Sequence, residues 1–216
     1  MDLSNINQEY IVDYIRSLVK DEEDLKDVRE YGEKHFVPII QPEVKQLLKV
    51  LISIKKPMKI LEVGTAIGYS AMVMASVMPE GGKVYTIERN EQMIELAKKN
   101  IEEKGFSDRI ELLEGDAEDI LKNFGEKVDI VFIDGAKAQY EKFLDYIIEN
   151  LNEEGIIISD NVLYKGMVAS DQLVNKRKKT IVKRMRSYLE YISDREDFET
   201  SIIPIGDGVS VSYIRG

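Results

Sequence analysis

The sequence predicts an α/β fold in which helices cover both faces of a mostly parallel, seven-stranded β-sheet with an antiparallel hairpin at its C-terminal end. Short β-rich runs alternate with helical patterns from residue 58 onward. The runs at 128–133 and 155–159 are almost continuously apolar. Because such strands are buried on both faces, parallel pairing between two helical layers is expected.

Three helical segments are predicted before the sheet, at 11–19, 21–35 and 43–54. Apolar residues recur at helical spacing in the first and third segments, while the second is acidic. Pro42 marks the turn that precedes the third segment.

Seven strand-like runs are predicted to form the sheet. They are 59–63, 83–88, 109–114, 128–133, 155–159, 198–204 and 208–214. Helices are expected to begin near Tyr69, Asn90, Asp116 and Lys137, and a long basic helix is expected at about 171–193. The last two strands flank Ile205-Gly206-Asp207 and are predicted to close the sheet as a hairpin.

Composition predicts one domain and excludes several chemistries. With 216 residues, 44% of them hydrophobic, the chain is expected to form a single domain over 1–216, with N-terminal helices at 1–54 and the core at 58–216. It has no cysteine and one histidine, His35. Disulfides, cysteine-ligated zinc and thiol nucleophiles are therefore excluded.

The lack of a targeting pattern predicts where the protein is located, and its charge indicates which partners it can bind. Residues 1–7 lack the basic start and apolar core of a signal peptide, and no run reaches the roughly 18 apolar residues of a membrane span. A cytoplasmic protein without membrane contact is expected. The formal net charge of −10 argues against polyanionic partners, yet seven basic residues and no acid lie at 176–186. Such a local surface can bind phosphate.

The turn after the first predicted strand is typical of cofactor-binding turns. Gly64 and Gly68 lie between a strand and a helix, where glycine lets the backbone approach a ligand closely. Ala66 stands where the dinucleotide pattern G-x-G-x-x-G requires its second glycine. Tight packing of strand against helix is the alternative use of the two glycines.

Two acids follow the next predicted strands. Glu88 ends the second strand, where a carboxylate can accept hydrogen bonds from both hydroxyls of an adenosine ribose. Asp116 follows the third strand, where it can meet the adenine amino group. Each acid can instead cap the helix that follows it. Together with the glycine turn, they favour a nucleotide-type cofactor at the carboxyl edge of the sheet.

Oxygen-bearing side chains follow the fourth and fifth predicted strands. Asp134 ends the fourth strand, and Asp160 and Asn161 end the fifth. Adjacent parallel strands open on the same crevice, so three oxygen ligands meet there. This set suits a hard cation such as Mg²⁺, which also relieves the repulsion between the carboxylates. Helix capping is the alternative role for the two aspartates.

Three motifs resemble those of the cation-dependent O-methyltransferases of the caffeoyl-CoA and catechol type. They are Glu62-x-Gly64-x-x-x-Gly68-Tyr69-Ser70, Asp134-x-x-Lys137-x-x-Tyr140 and Asp160-Asn161-x-Leu163-x-x-Gly166-x-Val168, within a match from about Tyr31 to the C-terminus. Two features depart from the family pattern: Gly135-Ala136 varies the usual residues after the metal aspartate, and no long insertion for an acyl-CoA substrate is evident.

This resemblance implies a Rossmann-like class I methyltransferase fold, S-adenosyl-L-methionine as cofactor, Mg²⁺ or another hard divalent cation, and a homodimer. The implied metal ligands are Asp134, Asp160 and Asn161. The implied cofactor contacts are Glu62, Gly64, Ser70, Glu88, Asp116, Ala117 and Asp134.

Lys137 and Asp134 are the predicted catalytic residues. Methyl transfer from a sulfonium is an in-line displacement, which requires an aligned and anionic acceptor oxygen. Lys137 follows Asp134 by three residues and is the candidate base or electrostatic partner for the acceptor hydroxyl. A surface lysine is the alternative.

The predicted acceptor carries two neighbouring oxygens. Bacterial tRNA methyltransferases that convert 5-hydroxyuridine at the wobble position to 5-methoxyuridine resemble this chain more closely, since they share its compact length, its basic helix and a turn like Gly206-Asp207-Gly208. Small catechol-like molecules are the alternative acceptor. The residues predicted to hold tRNA phosphates are Lys176, Arg177, Lys178, Lys179, Lys183 and Arg184. Their alternative is a solvated helix face.

Two other protein classes share this general fold. One is a non-catalytic cofactor-binding or regulatory protein. The other is an NAD-dependent oxidoreductase, which is disfavoured by Ala66 in the glycine turn and by the lack of a Tyr-x-x-x-Lys pair after the fifth strand.

Overall fold

The computed structural model describes residues 6–20 and 22–215. The α-helices in this part are α1 (Glu9–Leu18), α2 (Lys26–Lys34), α3 (Pro42–Lys55), α4 (Tyr69–Val77), α5 (Glu91–Glu103), α6 (Ala117–Lys122), α7 (Tyr140–Asn150) and α8 (Lys179–Asp194). The strands are β1 (Lys59–Val63), β2 (Lys83–Glu88), β3 (Ile110–Glu114), β4 (Val128–Ile133), β5 (Leu151–Ser159), β6 (Phe198–Ile203) and β7 (Val209–Ile214). Short 3-10 turns occur at Glu23–Leu25, Lys137–Gln139 and Asp171–Leu173. The expectation of no signal peptide rests largely on residues 1–5, which lie outside the described residues.

The seven strands form one sheet in the order β3-β2-β1-β4-β5-β7-β6. Strands β1 to β5 pair in parallel, and β7 runs antiparallel between β5 and β6. The predicted fold class is confirmed. Because β4 pairs with the edge of β1 opposite to β2, the strand order reverses direction between β1 and β4. Ligands of such sheets bind in the crevice outside the carboxyl ends of the strands at this point.

The core lies in two layers, one on each face of the sheet. On one face, Leu48 of α3 and Met72 of α4 pack with Ile60 of β1, and all three are fully buried. On the other face, Phe143 of α7 and Ile192 of α8 pack with the buried side chains of β4 and β5. Burying an aliphatic or aromatic side chain of this size contributes about 1.5–3 kcal/mol. The two layers fix the positions of the strand tips. The predicted site residues directly follow these tips.

The predicted helix at about 171–193 is wrong at its N-terminal end. Only a 3-10 turn forms at Asp171–Leu173, and α8 begins at Lys179. The turn ends at Val174, whose backbone is extended with ψ 114°, so the helix does not continue through residues 174–178. The basic residues therefore lie partly in a turn and partly on the first turns of α8.

Two further boundaries differ from the prediction. Strand β5 begins at Leu151, four residues before the predicted start, because Leu151 pairs with Val128 ahead of a register shift. The predicted helix at 21–35 is divided into the Glu23–Leu25 turn and α2, and Asp21 itself lies outside the described residues. None of the described helices is long and apolar enough to cross a membrane.

Candidate active site

The turn after β1 packs directly on the tip of β4. Gly64 has φ +106°, and a Cβ there would lie 3.0 Å from the backbone nitrogen of Gly135. A Cβ on Gly135 would in turn lie 3.1 Å from Gly64 Cα. Both positions need glycine because two strand tips approach each other backbone to backbone. Gly64 therefore permits close packing, as the alternative interpretation predicted. It packs against the tip of a neighbouring strand, however, and not against a helix.

Glu88 connects this turn to the end of β2 through hydrogen bonds. Its Oε2 accepts a hydrogen bond from the Ala66 backbone N–H at 3.0 Å, and its Oε1 accepts from the N–H groups of Arg89 and Asn90, each at 2.9 Å. Helix α5 is capped by Asn90, whose side chain accepts from Gln92 and Met93. The capping alternative for Glu88 is therefore wrong.

Asp116 has two partners at the mouth of the same crevice. Its Oδ1 caps α6 by accepting from the Glu118 N–H at 3.0 Å, as the capping alternative predicted. Its Oδ2 accepts from Arg89 Nη1 at 3.2 Å. The Arg89 contact is solvent-exposed and is worth little free energy, so a ligand can displace it.

A cavity of about 100 Å³ opens between the tips of β1, β2, β3 and β4. Of the seven predicted cofactor contacts, four line this cavity: Gly64, Glu88, Asp116 and Ala117. The other three, Glu62, Ser70 and Asp134, do not line it. The sequence missed Arg89 and Gln139, which also line the cavity.

Glu62 is a buried carboxylate beside this crevice, with no exposed surface. The Thr86 hydroxyl donates to Glu62 Oε2, whereas Oε1 has no hydrogen-bond partner among the described residues. Burial raises the pKa of Glu62 to about 7, the Ser70 and Thr86 hydroxyls act in the opposite direction, and the charge of Glu88 adds to the increase. Glu62 thus keeps an oxygen free to accept a hydrogen bond.

The two aspartates predicted at the carboxyl edge lie on neighbouring strand tips. Ile133 of β4 pairs with Ser159 of β5, so Asp134 and Asp160 follow paired residues. Burial raises the pKa of Asp134 well above its ordinary value, the charge of Asp160 raises it further, and Lys137 opposes the increase. Asp160 is 2% exposed, and burial raises its pKa to about 6 against the lowering effect of the Asn161 N–H and Lys137.

Lys137 connects the tips of β4 and β5. Its Nζ donates a hydrogen bond to Asn161 Oδ1. Ala136 and Asn161 have left-handed backbones, with φ of +54° and +58°. Such conformations cost free energy and cluster at functional sites. The structure therefore brings four predicted site residues together: Asp134, Lys137, Asp160 and Asn161.

We call Asp134, Lys137, Asp160 and Asn161 the acidic cluster. The side chains in this cluster limit which protein ligands a metal ion could have. Within residues 6–20 and 22–215, no three His, Cys, Asp or Glu side chains are grouped so that they could hold a metal ion. A site that uses the Asn161 amide oxygen as the third protein ligand is compatible with this arrangement. The metal, catalytic and cofactor roles of the site residues stay predictions.

Asp207 is a nearby group to which the sequence assigned no role. It lies between β6 and β7, where its Oδ1 accepts from the Lys165 N–H. Its charge contributes to the raised pKa of Asp160, and burial raises the pKa of Asp207 itself. The Gly206-Asp207-Gly208 turn was the only sequence signal for this position.

The six residues predicted to hold RNA phosphates are all exposed, and we call them the basic surface: Lys176, Arg177, Lys178, Lys179, Lys183 and Arg184. Two of its residues contact segments that follow the site residues in sequence, namely Tyr164, three residues after Asn161, and Ala138, next to Lys137. Lys178 Nζ lies 5.5 Å from the ring centroid of Tyr164, and Arg184 donates to the Ala138 carbonyl at 3.2 Å. By contrast, Arg186 is tied to Asp171 and to two backbone carbonyls.

The strand order, the hairpin at the sheet edge and the crevice at the carboxyl ends define a Rossmann-like methyltransferase. The chain belongs to the O-methyltransferase family, whose model matches residues 16–214. It is therefore a methyltransferase enzyme, as the sequence predicted.

Relatives from two organisms align with more than half of this chain. Caffeoyl-CoA O-methyltransferase 1 of Arabidopsis thaliana is 27% identical over 208 residues, which cover 89% of this chain and 78% of that protein. Catechol O-methyltransferase of Niastella koreensis is 29% identical over 136 residues, which cover 61% of this chain and 62% of that protein. The chain is thus similar to methyltransferases of the caffeoyl-CoA and catechol type.

Solved structures agree with this relationship. A putative caffeoyl-CoA O-methyltransferase from Staphylococcus aureus has a TM-score of 0.86 and 35% identity, covering 97% of this chain and all of that one. An O-methyltransferase from Bacillus cereus in complex with SAH has a TM-score of 0.84 and 26% identity, covering 95% of this chain and 97% of that one. The oxidoreductase alternative, which the sequence already disfavoured, is thereby set aside.

Proposed function

We propose that this chain transfers a methyl group from S-adenosyl-L-methionine to one of two neighbouring oxygens of an acceptor. The acceptor is bound through Mg²⁺ or another hard divalent cation, held by Asp134, Asp160 and Asn161. The observation that carries the proposal is the hydrogen bond from Lys137 to Asn161 between two buried, mutually repelling aspartates.

The acidic cluster has the chemistry of a hard-cation site. It offers two carboxylates and an amide oxygen, which are ligands that Mg²⁺ prefers. Burial is the main cause of the raised pKa values of Asp134 and Asp160, so their negative charges are unfavourable unless a positive charge lies nearby. Lys137 supplies part of this positive charge, and a divalent ion would supply the rest.

Three observations support the methyl donor. The B. cereus relative was crystallised with SAH. The cavity between the tips of β1 to β4 presents Glu88 and Asp116, which suit ribose hydroxyls and an adenine amino group. The free Oε1 of buried Glu62 can accept a hydrogen bond from the ammonium of the methionine part.

In this proposal the residues of the chain align the methyl donor with the acceptor. The acceptor oxygen attacks the methyl carbon as the carbon–sulfur bond breaks, leaving a neutral thioether, so no covalent enzyme intermediate is needed. Lys137 Nζ accepts the hydroxyl proton when neutral and stabilises the oxyanion when charged. A bound cation lowers the pKa of the acceptor hydroxyl.

For the acceptor, we propose 5-hydroxyuridine at the wobble position of tRNA. O4 and O5 of that base are neighbouring oxygens, and the base is accessible in a single-stranded loop. The basic surface supports this choice because it contacts Tyr164 and Ala138, which follow Asn161 and Lys137 closely in sequence. No residue of the basic surface forms an ion pair with an acid among the described residues, so its charges are available to phosphates.

Small catechol-like molecules are the second candidate acceptor. They present the same pair of oxygens to the cation, and the similarity to the catechol O-methyltransferase of N. koreensis favours them. Catechols carry no phosphate groups that could bind the basic surface. The effect of changing this surface therefore distinguishes the two candidate acceptors. For either acceptor we expect a homodimer, which sedimentation analysis would test.

One experiment tests the reaction and its acceptor. The chain is incubated with methyl-labelled donor, Mg²⁺, and either tRNA that carries 5-hydroxyuridine at the wobble position or a panel of catechols. We expect labelled tRNA, no label after addition of EDTA, and no label in a control tRNA with uridine at that position. Label in catechols alone would contradict the RNA acceptor, and label that resists EDTA would contradict the cation.

The cation ligands are tested by Asp160→Ala. Loss of one of three protein ligands is expected to lower turnover more than about 100-fold while donor affinity changes little. Asp24→Ala removes an exposed acid and serves as the control. Unchanged turnover of Asp160→Ala would remove this residue from the metal site.

A further inference from the structure

Tyr140 closes the end of the pairing between β4 and β5. It is the first residue of α7 and is 1% exposed. Its one hydroxyl hydrogen is shared between the Ile133 carbonyl, with the oxygens 3.2 Å apart, and the Asp160 carbonyl, with the oxygens 3.1 Å apart. The Ile133 carbonyl also accepts from the Asp160 N–H at 2.9 Å. One phenol thus joins the last backbone contact between the two strand tips.

Each of these carbonyls belongs to a peptide that leads into a predicted cation ligand. The Ile133 carbonyl is part of the peptide that leads to Asp134. The Asp160 carbonyl is part of the peptide that leads to Asn161, whose φ is +58°. A peptide is planar, so holding its carbonyl fixes the direction in which the next residue leaves. The Tyr140 hydroxyl therefore constrains where all three ligand-bearing side chains begin.

A second tyrosine holds the ring of Tyr140 in place. Tyr188 of α8 has no exposed surface and lies edge-to-face against Tyr140, with ring centroids 5.5 Å apart and an interplanar angle of 85°. Its hydroxyl is 2.6 Å from Ser159 Oγ. Tyr188 therefore contacts a side chain of β5, whereas Tyr140 contacts the backbone of both tips. The two tyrosines have similar burial, but the Tyr188 hydroxyl interacts with the side chains of Ser159 and Ser210 and not with the backbone of the strand tips.

We propose that Tyr140 is a positioning residue that holds the tips of β4 and β5 so that Asp134, Asp160 and Asn161 present their oxygens to one cation. This inference rests on the proposed function, because it assigns Tyr140 a task only if that site binds a cation. No contact of Tyr140 with donor or acceptor is required.

The test compares Tyr140→Phe with Tyr188→Phe. Each variant keeps its ring and the edge-to-face contact and loses one buried hydroxyl. Mn²⁺ affinity is measured by isothermal titration in both variants and in the wild type. Hydrogen-bond partners of ligand-presenting groups affect metal affinity by about 10–100-fold. We therefore expect Tyr140→Phe to bind Mn²⁺ at least 10-fold more weakly and Tyr188→Phe to bind within about twofold of wild type.

Turnover provides a second readout that simple loss of stability would not produce. In Tyr140→Phe, the Mg²⁺ concentration for half-maximal rate should rise, and saturating Mg²⁺ should restore most of kcat. Amide hydrogen exchange of Asp160 adds a local measurement: exchange should be faster in Tyr140→Phe than in Tyr188→Phe, because only the first variant loses a bond to these backbone atoms.

The outcomes separate this inference from the proposed function. A wild-type chain that binds no Mn²⁺ overturns the cation site, and the role of Tyr140 with it. Wild-type binding that is unchanged in Tyr140→Phe overturns the role of Tyr140 alone. An equal loss of affinity in both variants does the same, since it would reflect general loosening of the buried layer.

Discussion

Lys137 donates a hydrogen bond to the amide oxygen of Asn161 across the gap between the tips of β4 and β5. The ammonium therefore contacts an oxygen that is also a predicted cation ligand. Its charge opposes the increase that burial causes in the pKa values of Asp134 and Asp160. Lys137 therefore supplies positive charge to the acidic cluster without a metal ion, in addition to its proposed role toward the acceptor hydroxyl.

Lys137→Met should lower turnover about 100- to 10,000-fold, the range typical of a lost acid–base group. Donor affinity should stay within about threefold, since Lys137 does not line the cavity between β1 and β4. In EDTA the variant should also melt at a lower temperature than wild type, because two buried carboxylates lose their compensating charge. Mg²⁺ should raise the Tm of the variant more than that of wild type.

Lys142→Met is the control for Lys137→Met, since Lys142 is exposed and pairs with Glu118 away from the cluster. Turnover assays and thermal melts with and without Mg²⁺ would make the comparison. A Lys137→Met variant with wild-type turnover would show that this lysine only stabilises the fold.

Glu62→Gln should change the pH dependence of stability. The pKa of Glu62 is raised from 4.5 to about 7 by burial. Below pH 4.5 the group is protonated in both the folded and the unfolded chain. Between pH 4.5 and 7 the unfolded chain loses this proton first, so the wild type becomes less stable as pH rises, by about 3 kcal/mol in all. Glutamine removes this loss.

Urea unfolding of the cofactor-free wild type and of Glu62→Gln at pH 4.5 and pH 8 would test this prediction. The variant should gain stability relative to wild type at pH 8 compared with pH 4.5. Parallel pH profiles would mean that Glu62 is ionised in the folded chain as readily as in the unfolded one.

Gly64→Ala should destabilise the chain more than Gly105→Ala. Both glycines have positive φ, but a Cβ at Gly105 has no neighbour within 4 Å, whereas one at Gly64 meets the backbone of Gly135. The backbone penalty alone is about 1–2 kcal/mol. We expect about this loss for Gly105→Ala and about 3 kcal/mol or more for Gly64→Ala.

Denaturant unfolding of the two glycine variants measures the difference directly. If Gly64→Ala and Gly105→Ala lost the same free energy, the turn after β1 would have room to move away from β4. The close approach of the two strand tips would then be unimportant for stability.

Reversing the charges of the basic surface should weaken tRNA binding. In the triple variant Lys178→Glu, Lys179→Glu and Lys183→Glu, the slope of log affinity against log salt should fall in magnitude by about 2–3, since each lost phosphate contact contributes about 0.7–0.9. Binding isotherms at several salt concentrations give this slope.

A matched triple variant tests whether net charge alone explains such an effect. Lys34→Glu, Lys56→Glu and Lys99→Glu change the same total charge at exposed positions elsewhere on the chain. Their salt dependence should stay close to that of wild type. Equal weakening by both triples would make the basic surface an ordinary solvated helix face.

The sequence predicted the strands well because their order and burial follow from local patterns. Val128 to Ile133 reads as a buried strand without any tertiary information, and the acids that follow such strands meet at one edge by topology. The N-terminal boundary of α8 was harder, since helical periodicity extends across Val174, whose extended backbone ends the preceding turn. The prediction that three oxygen ligands converge is compatible with the structure, and cation binding itself is untested.

What the sequence could not predict depends on contacts between distant residues. The packing of Gly135 on Gly64, the bond from Ala66 to Glu88 and the shared hydroxyl of Tyr140 each join positions whose pairing no local pattern records. Tyr140 stood in a recognisable motif, yet its task became evident only when both strand tips were seen together.

The strand order divides the crevice into two halves that share only β4. Groups after β1, β2 and β3 surround the cavity, whereas those after β5 and in the β6–β7 turn adjoin the acidic cluster. We expect substitutions in the second half to affect the cavity less than substitutions in the first half do. On that expectation, the molecule being modified can change while the source of the methyl group stays the same, and grafting the segment after β5 from a relative is a way to re-target this enzyme.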